Sequence, residues 1–162
     1  MTDLLQLDGV TVRFGSTDVL REVTLSIAAG TITGLIGPNG AGKTTLIDAV
    51  MGFVPVSDGG ISFGARDLGD LPPHRRARLG LTRTFQSVEL FDDMTVTENV
   101  LVAGDPSSLA GVGLVHGDER VAGELGPSDR KTVALARALA GRPSLLLLDE
   151  PAAGLDRDER RD

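Results

Sequence analysis

Residues 37–45 read GPNGAGKTT and decide the fold of this chain of 162 residues. They fit the pattern G-x-x-x-x-G-K-[ST], which is typical of a phosphate-binding loop when a strand precedes it and a helix follows it. Residues 31–36 run apolar into the glycines and predict a buried strand, and residues 45–51 have helical spacing and end at Gly52. Strand, glycine loop and helix in this order predict an α/β fold around a phosphate-binding loop.

The glycines of this loop let successive backbone N–H groups turn inward at a helix N-terminus, where they can bind an anion. The pattern predicts that Lys43 reaches the β- and γ-phosphates of a nucleoside triphosphate and that the Thr44 hydroxyl is a ligand of Mg²⁺. The predicted phosphate-binding residues are Gly37, Pro38, Asn39, Gly40, Ala41, Gly42, Lys43, Thr44 and Thr45. A glycine-rich turn with a solvated lysine is the alternative.

A second motif lies at residues 144–150, which read SLLLLDE. A short apolar run that ends in two acids is typical of a buried parallel strand with chemistry at its carboxyl end. We expect Asp149 to hold Mg²⁺ through its water shell and Glu150 to orient the attacking water. Two solvated acids after a core strand are the alternative, which the phosphate-binding loop on the same chain disfavours.

The remaining sequence predicts further elements. Period-two alternation predicts strands within residues 4–36, and short strands are expected at residues 61–63 and ending at residues 84–85. Residues 86–128 are the least regular, because glycines interrupt any long helix.

A helix is predicted over residues 129–140. Ser128 is its expected N-cap and Asp129 is favourable in its first turn, while Gly141 and Pro143 end it.

Composition limits the classes of protein that the chain can belong to. The formal charge is −7, from 16 basic and 23 acidic residues, which argues against a broad nucleic-acid surface. The absence of cysteine excludes disulfides and thiolate sites. The N-terminus lacks the pattern of a signal peptide, and no apolar run approaches the ~20 residues of a membrane helix. We therefore expect a soluble chain that reaches a membrane only through a partner.

Beyond the two motifs, several segments are similar to one family. Phe14 lies where the ATP-binding subunits of ABC transporters place an aromatic that stacks on adenine, and Gln86 lies at their Q-loop glutamine. Residues 90–100 are similar to the segment that follows this glutamine, and residues 153–156 resemble the D-loop. The chain most resembles the ATPases of branched-chain amino acid importers, over nearly its whole length except roughly residues 102–124.

The resemblance implies a P-loop NTPase (RecA-like) core with an N-terminal antiparallel β subdomain. The whole chain, residues 1–162, is then one ABC-type nucleotide-binding domain. Residues 1–85 and 129–162 would form the ATP-binding core with the β subdomain, and residues 86–128 a shortened helical subdomain.

The resemblance also implies an activity and partners. ATP and Mg²⁺ would be bound, with Thr44, Gln86 and Asp149 at the metal and with Glu150 and Gln86 as catalytic residues. The partners would be transmembrane permease subunits and a second ATPase subunit, at the inner face of the cell membrane, with no role for nucleic acid.

The chain departs from the family pattern in three places. Residues 125–129 read LGPSD where a Leu-Ser-Gly-Gly-Gln type signature is expected, so that Gly126 replaces a serine and Asp129 adds negative charge. Only 39 positions separate Gln86 from Leu125, which predicts a shortened helical subdomain. No switch histidine follows the D-loop, which predicts a chain that is incomplete at its C-terminus. It would be either a truncated product or a reduced protein that borrows the missing parts.

Some polar residues carry no functional pattern of their own. Arg75, Arg76 and Arg78 are expected to form a solvated face, and His74 and His116 to be exposed. Without its neighbours in sequence, Phe14 would be interpreted as an ordinary core aromatic.

Three functional hypotheses follow. The chain is an importer ATPase, an ATP-binding module that hydrolyses ATP poorly, or a non-transport relative such as one acting in translation or DNA repair. The anionic charge and residues 90–100 favour the importer family over the third hypothesis.

Overall fold

The computed structural model describes residues 3–84, 89–115 and 117–149. The chain divides into two compact units, Met1–Leu79 and Gly80–Asp162. Each unit has its own secondary structure and its own buried residues.

Unit one contains a four-stranded antiparallel sheet in the order β2-β1-β3-β4. Its strands are β1 (Asp3–Phe14), β2 (Thr17–Ala28), β3 (Asp58–Phe63) and β4 (Arg66–Asp67). Leu7 of β1 pairs with Leu25 on one side and with Ile61 on the other. The predicted period-two strands and the N-terminal antiparallel subdomain are confirmed, since alternate residues of β1 and β2 turn inward.

Helix α1 (Lys43–Met51) follows the glycine loop and buries most of its apolar residues in unit one. These are Leu46, Ile47, Ala49, Val50 and Met51. The helix ends as predicted at Gly52, whose φ of 81° and ψ of 16° give it the left-handed conformation typical of a helix C-terminus.

The predicted strand at residues 31–36 is wrong. These residues have no regular secondary structure, Ile32 and Ile36 are almost wholly exposed, and Leu35 is exposed as well. A strand exists only where a neighbour satisfies its backbone N–H and C=O groups. No strand of the described residues pairs with this segment, so its apolar composition alone does not produce a strand.

The arginine cluster is only partly the solvated face that the sequence predicted. On α2 (Pro73–Arg78), His74, Arg75 and Arg78 are exposed, whereas Arg76 is 4% exposed. The prediction for Arg76 is therefore wrong, and its long side chain turns into unit one.

The buried guanidinium of Arg76 donates to five backbone carbonyls. Nη1 donates to Ala49 O at 2.8 Å and to Val50 O at 2.9 Å, at the C-terminal end of α1. The other acceptors are Leu68 O, Gly69 O and Leu71 O, at 2.8, 3.3 and 2.7 Å. Burial lowers the pKa of Arg76, an effect that Asp67 opposes. Arg76 thus ties the end of α1 to residues 68–71, because helix-terminal carbonyls lack partners within the helix.

Unit two contains a parallel pair of strands, β5 (Leu81–Arg83) and β6 (Leu145–Leu147). Arg83 pairs with Leu147, and the Thr84 N–H donates to Leu147 O at 3.0 Å. The predicted parallel strand before the two acids is confirmed. The strand is shorter and less buried than expected. Leu145 is buried, whereas Leu148, which follows the strand, is exposed.

The helices of unit two pack around one apolar cluster. They are α3 (Val96–Leu101) and α4 (Pro127–Ala140), with 3₁₀ helices at Pro106–Val112 and Ala122–Glu124. The cluster consists of Val96, Val100, Leu109, Val133, Ala136 and Ala140. Short helices joined by glycine-containing loops agree with the predicted irregularity of this region.

The predicted N-cap of α4 is wrong. Gly126 rather than Ser128 occupies the N-cap position, and the helix begins at Pro127. Proline is favoured at the first helical position because its fixed φ suits the helix and its missing N–H would have no helical partner there. This preference moves the start of α4 two residues ahead of the predicted one.

No helix in the described ranges has both the length and the hydropathy needed to cross a bilayer.

Candidate nucleotide-binding site

The glycine loop in unit one has the backbone conformation that an anion nest needs. Gly40 has a φ of 82°, and Gly42, the N-cap of α1, has a φ of 86°. A Cβ at Gly42 would lie 2.7 Å from Leu20 Cδ2, so both the left-handed conformation and the space require glycine. The first turn of α1 carries no acidic residue, which leaves its positive end available to an anion.

Lys43 lies over this loop. Its ammonium donates to Gly37 O at 2.8 Å and to Pro38 O at 2.9 Å, and the Ala41 N–H donates to Pro38 O at 3.2 Å. The next residue, Thr44, is exposed at the first turn of α1. Unit one therefore brings the lysine, the threonine and the glycine loop together at one helix N-terminus.

Phe14 ends β1 at the tip of the β1–β2 hairpin and is 51% exposed. It is not the core aromatic that composition alone would favour. Beside it, Arg13 Nε lies 2.5 Å from Asp18 Oδ1, and this hydrogen bond lowers the pKa of Asp18. The hairpin presents an apolar ring to solvent next to a charged pair, a surface on which a flat base could stack.

Asp149 lies in unit two, two residues beyond the end of β6, and is buried. Its Oδ2 accepts from Arg83 Nη2 at 3.2 Å, with 7% of the Asp149 side chain and 5% of the Arg83 side chain exposed. The alternative of a solvated acid is wrong for Asp149. Glu150, Gln86 and residues 153–156 lie outside the described residues, as does His116.

Each unit offers one oxygen donor of the kind that Mg²⁺ prefers. In unit one it is the hydroxyl of Thr44, and in unit two it is the carboxylate of Asp149. Within the described ranges, no group of three or more His, Cys, Asp or Glu side chains could hold a metal.

The start of α4 corresponds to the altered signature at residues 125–129. Asp129 Oδ2 accepts from Arg120 Nη1 at 2.6 Å, and Arg120 also pairs with Asp118 at 2.8 Å. Hydrogen bonds to Asp118 and Asp129 raise the pKa of Arg120. Arg120 is shared by two carboxylates, so it balances only part of the negative charge at the start of this helix.

Sequence reasoning missed Arg83, Arg120 and Asn99. Asn99 is wholly buried, and its amide bonds to backbone groups of Phe91 and Thr95, which orders the segment before α3. A polar residue within a short apolar strand or helix, as at Arg83 and Asn99, was the only sequence feature that could have indicated their burial. The partner of Arg83 is 66 positions away and could not be identified from local pattern.

Comparison with known proteins places the chain in a family. The family model described as ABC transporter matches residues 20–153. The high-affinity branched-chain amino acid transport ATP-binding protein LivG of Salmonella typhimurium is 35% identical over 187 positions, covering 98% of this chain and 73% of LivG. The lipopolysaccharide export system ATP-binding protein LptB of Acidithiobacillus ferridurans is 36% identical, covering 96% of this chain and 70% of LptB.

A solved structure has the same fold. The ADP conformation of MJ1267, an ATP-binding cassette of an ABC transporter, superposes with a TM-score of 0.88 at 30% identity, covering 96% of this chain and 72% of that one. The alignment with LivG spans 187 positions and this chain has 162 residues, so LivG carries residues within the aligned region that this chain lacks. As expected, the chain is shorter than this relative. The chain belongs to the ABC transporter family and is an ATPase domain with the α/β fold of its ATP-binding cassettes.

Proposed function

We propose that this chain is the ATP-binding and ATP-hydrolysing subunit of an ABC importer for branched-chain or related amino acids. The observation that carries the proposal is the loop at residues 37–42, with Lys43 and the positive end of α1 gathered around it. A glycine loop at a helix N-terminus with an ammonium beside it suits a chain of phosphates.

The residues divide the chemistry among them. Lys43 exchanges the carbonyls of Gly37 and Pro38 for β- and γ-phosphate oxygens, which bear more negative charge and accept stronger hydrogen bonds. Phe14 stacks on the adenine, and the loop residues up to Thr45 hold the phosphates.

The metal site completes this assignment. Mg²⁺ would be held by Thr44, Gln86 and Asp149 and would neutralise charge on the phosphates. Glu150, which follows Asp149 in sequence, would orient the attacking water and accept its proton.

Transport is the second part of the proposal. ATP closes a head-to-tail pair of ATPase subunits, and hydrolysis reopens it while permease subunits move the solute. The likeness to LivG supports an amino acid as solute and a place at the inner face of the cell membrane. The chain is about as similar to LptB, which is named for lipopolysaccharide export. A role in export is therefore the competing proposal.

A binding module with slow turnover is the second candidate. The N-cap of α4 is Gly126, which has no side-chain hydroxyl for a γ-phosphate of the opposite subunit. The Arg120–Asp129 pair lessens the charge penalty at this helix without supplying the missing hydroxyl. Loss of one such donor typically slows the reaction about 10²–10³-fold.

Binding of a fluorescent ATP analogue and release of phosphate, measured on Lys43→Ala and Glu150→Gln, test the proposal. Lys43→Ala removes charge-assisted hydrogen bonds worth about 1.5–3 kcal/mol each, so we expect affinity to fall ~100-fold. Glu150→Gln is expected to bind normally and to lose turnover about 10²–10⁴-fold, as removal of a general base does.

Arg75→Ala, an exposed change on α2 of unit one, is the matched control and leaves both quantities unchanged. Retained affinity in Lys43→Ala contradicts the phosphate-binding assignment. Normal binding with no measurable turnover in the wild type favours the second candidate instead.

A further inference from the structure

Arg83 and Asp149 form a buried ion pair within unit two. The Nη2–Oδ2 distance is 3.2 Å, and the Arg83 and Asp149 side chains are 5% and 7% exposed. Net stability alone does not account for such a pair, because removing both charges from water offsets most of their attraction. What a buried pair does provide is a defined orientation of both groups.

Asp149 lies beyond the described ladder of β5 and β6. Among the described residues, that ladder ends at Arg83 and Leu147, and the Thr84 N–H donates to Leu147 O. Asp149 is two residues further along the chain. Its contact with Arg83 is thus one of the contacts that define where its carboxylate points.

Arg83 is well placed to define that direction. Its backbone is held in β5 opposite Leu147, and its Nε donates to Thr84 O at 3.3 Å. A guanidinium is planar and presents its donors in a rigid fork, so Arg83 fixes the direction from which the Asp149 carboxylate accepts its hydrogen bond. Lysine at the same place would offer a single flexible point charge.

We propose that Arg83 is a positioning residue for magnesium, which holds the Asp149 carboxylate in the orientation that receives a water of the metal's shell. The proposal rests on the assignment of Asp149 to Mg²⁺ made above. Carboxylates that serve a metal depend on their own hydrogen-bond partners, and loss of such a partner typically costs about 10- to 100-fold in metal affinity.

The test is a Mg²⁺ titration of the full chain with a fluorescent ATP analogue at fixed concentration. In Arg83→Gln the Mg²⁺ concentration for half-maximal signal is expected to rise about 10- to 100-fold. Binding of the analogue in EDTA is expected to stay unchanged, because Arg83 serves the metal ligand and not the phosphate loop. If Arg83 had a purely structural role, Arg83→Gln would lower the unfolding temperature without changing the Mg²⁺ concentration for half-maximal signal.

Two further variants calibrate the result. Arg142→Gln, which breaks the exposed Arg142–Asp105 pair of the same unit, is the matched control and leaves the titration unchanged. Arg83→Lys keeps the charge but not the fork, so we expect an intermediate shift. Where Arg83→Gln does not fold, as judged by circular dichroism, Arg83→Lys decides by the same criterion.

An unchanged or lower half-saturating Mg²⁺ concentration in the folded variant overturns the proposal. Asp149→Asn separates this failure from that of the proposed function. If Asp149→Asn leaves the titration as in the wild type, the assignment of Asp149 to the metal is wrong. If Asp149→Asn shifts it and the Arg83 variants do not, only the role of Arg83 is refuted.

Discussion

At the scale of single residues, Lys43 shows how the proposed nucleotide site is arranged. Lys43 bonds two carbonyls of its own loop, so its ammonium is already close to the place where phosphate would bind. Because the contacts that Lys43 gives up are neutral carbonyls and those it gains are charged oxygens, the exchange favours the phosphate.

Phe14→Ala tests the stacking role at the hairpin tip. Stacking of a base on an aromatic side chain contributes about 1–3 kcal/mol, so we expect ATP affinity to fall roughly 5- to 150-fold. Affinity for inorganic tripolyphosphate, which has no base, should be unchanged. Competition against a fluorescent ATP analogue measures both constants.

Phe53→Ala is the control for this substitution, because Phe53 is 49% exposed, close to the 51% of Phe14, and lies beyond the opposite end of α1. An equal loss for ATP and tripolyphosphate in Phe14→Ala would argue that the hairpin acts on the phosphates and not on the base.

At the scale of elements, α1 is held at both ends. Gly42 packs its N-terminus against Leu20, and Arg76 bonds the carbonyls of Ala49 and Val50 at its C-terminal end. Gly52 completes the arrangement, since a Cβ there would lie 2.8 Å from Arg76 Nε. The helix that carries Lys43 is thus positioned by contacts at each terminus.

Arg76→Met tests the C-terminal contact. Methionine fills a similar volume but removes a donor from five carbonyls, of which Ala49 O and Leu68 O still accept the N–H groups of Gly52 and Leu71. Each buried group left unsatisfied costs about 1–3 kcal/mol where water cannot replace the donor. Relief from burying a charge offsets part of this, so we expect a net loss of about 2–4 kcal/mol in the free energy of unfolding. Urea denaturation measures it.

Arg75→Met, one residue earlier on the exposed side of α2, should change the free energy of unfolding by less than about 0.5 kcal/mol. A similarly small change in Arg76→Met would mean that water readily replaces the guanidinium, and the anchoring role of Arg76 would be rejected.

At the scale of the whole molecule, ligand binding should raise the free energy of unfolding. A ligand present at 100 times its Kd adds about 2.7 kcal/mol to the free energy of unfolding. For a chain of 162 residues this corresponds to a rise of roughly 5–10 °C in Tm. We expect MgATP to raise the Tm of the wild type by this amount and that of Lys43→Ala by less than about 2 °C, as followed by circular dichroism.

A cooperative transition that MgATP does not move in the wild type would contradict nucleotide binding by this chain. A shift of equal size in Lys43→Ala would instead mean that MgATP binds at another site.

The sequence by itself determined the phosphate loop, helix α1 and its end at Gly52, the alternating strands of unit one, and the parallel strand before Asp149. All of these depend on residues close together in the chain, because turn conformation, helix caps and side-chain periodicity are local properties. Only the tertiary structure decided three other features. Residues 31–36 form no strand because strand formation needs a partner, and neither the burial of Arg76 nor its pairing with carbonyls up to 27 positions away follows from a local pattern. The contact of Arg83 with Asp149 likewise arises from the pairing of β5 with β6, which brings together residues that are 66 positions apart in the chain.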